Sequence, residues 1–130
     1  IVFHHDVADA ALVDMYRRAL CLVLPSVYRT ADGQHTDVPE LLGQTLLEGM
    51  ACATPVICTR VASMPEIVED GVSGFVVGPG DSAALRSRLE WLATHPEEAS
   101  TMGAAGRTRV LSRFQWPDVV ERCLDAYRSA

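Results

Sequence analysis

The chain has 130 residues, 48% of them apolar and 22% charged, the balance of one folded domain and not of a disordered segment. All eleven basic residues are Arg and none is Lys, which excludes Schiff-base, P-loop-lysine and lysine general-base chemistry within the chain. A net charge of −6 argues against nucleic acid or an anionic membrane surface as the main partner.

Taken in order, Ile1–His5 is short and β-rich and reads as a strand. Asp9–Ala19 reads as a helix with Asp9 as N-cap, since Leu12, Met15, Tyr16 and Ala19 fall at helical spacing. Leu20–Leu24 is a continuous apolar strand ending at Pro25. The apolar stretch Ala19–Leu24 is far too short to span a bilayer, and no signal-peptide pattern precedes it. Val27–Pro39 is the one long stretch with no predicted structure, and loops of that length in compact domains are usually functional. A helix is predicted over Thr45–Ala53, with Leu46, Leu47, Met50 and Ala51 on one side, and a strand over Pro55–Thr59. A short helix over Met64–Glu69 stops at Asp70-Gly71, and Gly74–Val77 is the last strand. Gly78-Pro79-Gly80 lacks phosphate-loop spacing and is read as a turn into a helix over Ser82–Thr94, capped by Asp81. After Pro96 one helix runs to about Arg113, weakened by Gly103 and Gly106, and another from Trp116-Pro117 to Arg128. Continuous apolar runs mark strands buried on both faces. The prediction is an α/β doubly wound, Rossmann-like parallel sheet over 1–95, followed by C-terminal helices over 96–130.

Cys21, Cys52, Cys58 and Cys123 form no CxxC pair and read as buried free thiols in a reducing cytoplasm, with neither a zinc site nor a disulfide framework. His4 and His5 would point to opposite faces of a strand and are read as structural; no metal site is expected. Ser26 has no acid–base partner suggested nearby and is read as a strand-end turn or pocket wall.

The chemistry concentrates in Pro39–Cys52, a loop opening a helix after a strand end. The N–H groups of Gly43, Gln44 and Thr45 would leave the helix start as an anion site, and Gly43 allows close approach of a phosphate. Glu40 precedes this site and Glu48 follows it on the helix. A carboxylate accepts two hydrogen bonds and suits a vicinal diol. A phosphate between two diol-binding carboxylates describes a nucleotide-sugar: sugar, diphosphate, ribose. Spacing alone decides nothing, because Glu90 and Glu98 are also eight apart and receive no function.

The embedding is more specific. Glu40-x7-Glu48 continues into Glu48-Gly49-Met50-Ala51-Cys52-Ala53-Thr54-Pro55-Val56-Ile57, then Pro65-Glu66-Ile67-Val68-Glu69-Asp70-Gly71 and Gly74-Phe75-Val76-Val77. Leu24-Pro25-Ser26 and the tail from Gly103 through Gly106-Arg107 to Phe114 and Trp116 fit the same pattern. The chain resembles the C-terminal, donor-binding domain of retaining glycosyltransferases of the GT-B fold, family 4 (glycosyl transferases group 1). The resemblance implies that Glu40 holds donor-sugar hydroxyls as a positioning and electrostatic group in the catalytic centre. It implies that the amides of Gly43, Gln44 and Thr45 hold the diphosphate and that Glu48 holds the ribose. It further implies hexose transfer from a nucleotide-sugar donor to an acceptor with retention of configuration, no cofactor and no essential metal.

Departures from the family pattern add expectations. An aromatic usually precedes the glycine, where this chain has Leu42, loosening one wall of the sugar pocket. The Ser26–Glu40 loop is long, and its Tyr28, Arg29 and His35 are placed to cover the donor or meet the acceptor. Two upstream strands, with an Arg and a Lys for the diphosphate, and the N-terminal acceptor domain are expected outside this chain. The isolated chain is therefore expected to be inactive, with an open edge on the Leu20–Leu24 strand that invites self-association. The last helix is expected to turn apolar surface towards the absent domain. The alternative is a non-catalytic nucleotide- or protein-binding module built on the same fold.

Overall fold

The computed structural model describes residues 1–129. Nine elements follow in order: α1 (Asp9–Arg18), β1 (Leu22–Leu24), α2 (Gln44–Ala51), β2 (Val56–Thr59), α3 (Met64–Ile67), β3 (Phe75–Val77), α4 (Ser82–Thr94), α5 (Pro96–Arg113) and α6 (Trp116–Arg128). The strands form one parallel sheet in the order β1-β2-β3, with Leu22 opposite Val56 and Ile57 opposite Phe75. Parallel neighbours need a crossover, and α2 and α3 supply them.

Strand alternation sends successive side chains to opposite faces. On one face Val56, Cys58 and Val76 join Leu46 and Met50 of α2, Met64 and Ile67 of α3, and Val110 of α5. On the other, Ile57, Phe75 and Val77 meet Leu92 of α4 and Met102 of α5. All four residues of β2 are buried. The apolar runs thus reflect two buried faces, and the α/β class follows from them.

Several expectations need correction. Ile1–His5 is not a strand: Ile1, Val2 and Phe3 are exposed and none of the five pairs with a strand among the described residues. β-propensity holds a strand only when a ladder partner and a packed face support it. The N-cap of α1 is Ala8, without a side-chain cap, and Asp9 sits one place later, where its charge favours the helix dipole. Asp81 does cap α4, accepting the Ala84 N–H at 2.8 Å. Residues 27–39 are not structureless: Arg29 and His35 form an antiparallel bridge, and the Thr36 N–H donates to the Tyr28 carbonyl at 2.9 Å. Of the four free thiols only Cys58 is buried, while Cys21 and Cys52 are half-buried and Cys123 is exposed.

The glycines of α5 do not interrupt it: the helix is continuous through both. A Cβ on Gly103 would lie 2.1 Å from the Ala53 carbonyl oxygen, so the missing side chain is what lets α5 lie on the turn after α2. Arg107 of α5 donates through Nη1 to the Ala51 carbonyl at the end of α2, where a cation also meets the negative helix terminus. Arg109 clasps the end of α3, donating to the carbonyls of Ile67 and Glu66 at 2.7 and 2.9 Å and pairing with Glu69 at 3.1 Å.

Two surfaces stay open. β1 is an edge strand, as expected for Leu20–Leu24. No residue of α6 is buried, and Trp116 is 79% exposed. No helix among the described residues is long and apolar enough to cross a membrane.

Candidate functional site

The loop entering α2 is built around Gly43, whose φ of 74° is left-handed, a conformation that costs most residues about 1–2 kcal/mol. A Cβ there would also stand 3.1 Å from Leu46 Cδ1. This turn swings the chain back over the helix start. Glu40 Oε1 accepts the N–H of Leu41 at 3.0 Å and of Gly43 at 3.1 Å. The Ser63 hydroxyl donates to the Leu41 carbonyl at 2.8 Å and ties the loop to the start of α3.

The Gly43 amide is therefore not free, contrary to expectation: the Glu40 carboxylate occupies it. The N–H groups of Gln44 and Thr45 have no acceptor among the described residues, as first-turn amides commonly do. Glu40, Leu42, Gln44 and Thr45 line one depression of about 450 Å³. Gly43 lies buried beneath it, and Leu42 is half-exposed.

Glu48 lies on the same exposed side of α2 as Gln44 and Thr45, opposite the buried Leu46, Gly49 and Met50. Glu48 borders a second depression of about 430 Å³, on the α1 side. There the Tyr16 hydroxyl donates to Glu48 Oε2 at 2.8 Å. The structure brings Glu40, Leu42, Gln44 and Thr45 together and sets Glu48 beside them in the neighbouring hollow. Tyr16 carried no site role in the sequence, where it counted only as one of four residues at helical spacing. Its signal was the residue type: a buried tyrosine, unlike phenylalanine, needs a partner for its hydroxyl.

Burial first, then the hydrogen bond to Glu48 and its negative charge, push the Tyr16 phenol up to about 12 from an ordinary 10.0. Burial and the Asp70 carboxylate, opposed by Arg60, push the Cys58 thiol up to about 12 from 9.0. Both groups are neutral when protonated and hold the proton more tightly folded than unfolded. Their contribution is whole below the unfolded values and is lost as pH rises through 9 and 10 towards 12. The melting temperature is therefore expected to fall across this range. Tyr16→Phe should remove the part above pH 10, and an unchanged alkaline limb in that variant would count against a protected phenol.

The other candidates line neither of these two depressions. Tyr28 Oη accepts the Ala62 N–H at 3.3 Å, and the residue is 40% exposed. Arg29 and His35 are exposed, and His35 lies 3.5 Å from Asp37. The Ser26 carbonyl accepts the Thr59 hydroxyl at 2.6 Å, a strand-end tie. Glu90 pairs with Arg86 at 2.7 Å on α4, a surface role as expected of the decoy spacing. His4 and His5 are exposed, and no group of three or more metal-ligating side chains gathers among the described residues.

The family described as glycosyl transferases group 1 matches residues 1–109. Alpha-maltose-1-phosphate synthase of Mycobacterium tuberculosis is 36% identical over 123 residues, covering 90% of this chain and 29% of that protein. D-inositol 3-phosphate glycosyltransferase of Thermobifida fusca is 36% identical over 121 residues, covering 93% and 25%. Among solved structures, sucrose-phosphate synthase of Thermosynechococcus elongatus superposes with a TM-score of 0.81 at 30% identity, over 98% of this chain and 29% of that one. Anabaena HepE, solved with UDP-glucose, gives a TM-score of 0.66 at 26% identity, over 74% and 27%. The chain thus spans less than a third of the length of these relatives.

Proposed function

The chain belongs to the glycosyl transferases group 1 family, and from that premise we propose that it is the donor-binding segment of a retaining hexosyltransferase. One observation supports the reading most: an anionic carboxylate, Glu40, is fixed over a helix start whose Gln44 and Thr45 amides are free to take an anion. The two features select for a ligand carrying hydroxyls and phosphate side by side. A bare phosphate would be repelled by Glu40; a sugar diphosphate can set hydroxyls against Glu40 and phosphate oxygens against the amides.

In this reading Glu40 accepts from the donor sugar through Oε2, because Oε1 already accepts two backbone N–H groups. Leu42 forms the looser wall of the sugar pocket, Gly43 shapes the turn, and Glu48 takes the ribose hydroxyls. Glu40 acts by position and charge in a front-face, ion-pair-like transfer, without an essential metal. In this reading an acceptor domain completes the enzyme, in keeping with relatives of whose length this chain spans less than a third. We place the parent enzyme in the cytoplasm, in keeping with four cysteines and no pairing motif. The chain alone holds few counter-charges for a diphosphate, so it binds donors weakly and transfers nothing.

Calorimetric titration with UDP, GDP and ADP tests this. We expect weak binding of at least one diphosphate, with orthophosphate far weaker and no transfer from labelled nucleotide-sugars to simple acceptors. Turnover by the isolated chain would overturn its inactivity. Absence of binding to every diphosphate would favour the non-catalytic, protein-binding module. The open edge of β1 also leads us to expect self-association, since unpaired strand edges template pairing. Light scattering that gives a monomer at high concentration would argue against it.

A further inference from the structure

We propose that Tyr16 is a positioning residue that presents Glu48 to the ribose; this rests on the ribose role proposed above for Glu48. The two residues are 32 positions apart, yet the Tyr16 hydroxyl reaches Glu48 Oε2 at 2.8 Å. Tyr16 is a rigid post. Its side chain is packed away, with the residue 8% exposed. Its carbonyl accepts the Thr54 hydroxyl at 2.7 Å and the Ala19 N–H at 3.1 Å. Thr54 itself is buried and sits in the turn that follows α2. The end of α1 is therefore fastened at two places: to the exposed face of α2 through Glu48 and to the turn after α2 through Thr54.

The asymmetry of exposure makes this more than a packing contact. Glu48 is exposed, and a solvated carboxylate gains little stability from one hydrogen bond. What the bond changes is freedom. A free Glu side chain loses rotamer entropy when it is fixed. With Oε2 already held by Tyr16, that loss is met before any ligand arrives, and Oε1 stays open to a vicinal diol. An α2 carboxylate left unheld would sweep several rotamers and bind hydroxyls less well.

The test compares UDP, GDP and ADP with their 2′,3′-dideoxy counterparts on the unaltered chain, Tyr16→Phe, Glu48→Ala and the double variant. The unaltered chain should prefer the ribonucleotide, and Glu48→Ala should erase that preference. Tyr16→Phe should shrink it about tenfold, the effect of the lost pre-organisation, while leaving the dideoxy affinity unchanged. In the Glu48→Ala background, Tyr16→Phe should change neither affinity. A second measurement needs no variant: in chain labelled at tyrosine Cζ, the Tyr16 carbon resonance should move on saturation with the ribonucleotide and stay in place with the dideoxy form.

A full ribose preference in Tyr16→Phe, alongside its loss in Glu48→Ala, would overturn the positioning role and leave the ribose role standing. Equal weakening of both nucleotides by Tyr16→Phe would do the same, because it marks a structural contact only. No ribose preference in the unaltered chain would overturn the ribose role, and the positioning role with it. A Tyr16 resonance indifferent to the ribonucleotide would likewise overturn the positioning role.

Discussion

Gly103→Ala is expected to destabilise the chain by roughly 3 kcal/mol, and so to lower its melting temperature by about 10 °C. Helix propensity alone gives the opposite sign, because alanine in a helix interior is favoured over glycine by about 1 kcal/mol. Packing decides the outcome. The new methyl would sit 2.1 Å from the Ala53 carbonyl oxygen and 3.3 Å from Pro55 Cδ. The first of these is backbone and cannot rotate away, so α5 must lift from the turn between α2 and β2. Lifting it also strains the Arg107 bond to the Ala51 carbonyl and opens the core around Met102 and Val110. Urea unfolding followed by circular dichroism measures the change. A midpoint equal to or above that of the unaltered chain would show that α5 does not rest on Ala53.

Glu48→Ala is expected to lower affinity for a nucleoside diphosphate about 100-fold with a modest loss of stability. The argument comes from exposure and charge. Glu48 is exposed and its hydrogen bond joins it to one tyrosine, so its removal should cost folding only about 1–2 kcal/mol, mainly by leaving the Tyr16 hydroxyl without its partner. In the ribose role, the same carboxylate takes charge-assisted hydrogen bonds worth about 1.5–3 kcal/mol each. Losing them together gives the large factor. Calorimetry and thermal unfolding on one preparation separate the two effects. Unchanged affinity would remove Glu48 from the site, and a large fall in stability would instead make it a structural residue of the α1–α2 contact.

Much of the architecture was legible because its causes are local. The runs Val56–Cys58 and Phe75–Val77 are apolar at every position, and that pattern fits a strand covered on both faces. Asp81, Pro96 and Pro117 mark helix starts by mechanisms within one turn of chain. The glutamates at 40 and 48 were visible because a loop, a glycine and a helix start surround them. Ile1–His5 misled because its composition is that of a strand, while strand formation depends on a neighbour. Gly103 misled because a glycine reads as a weak point until the atom above it is known.

The α/β class, the family pattern and the pair of carboxylates flanking a helix start follow from period, capping and residue order along the chain. Tertiary packing sets what spacing cannot: it bends Glu40 back to occupy the Gly43 amide, leaving Gln44 and Thr45 as the free donors. It alone decided that Glu48 is held by Tyr16 from another helix. Neither fact is written in spacing, because each depends on where a left-handed glycine turns the chain and how α1 lies against α2. Those are distances in space between residues that local propensity treats as unrelated.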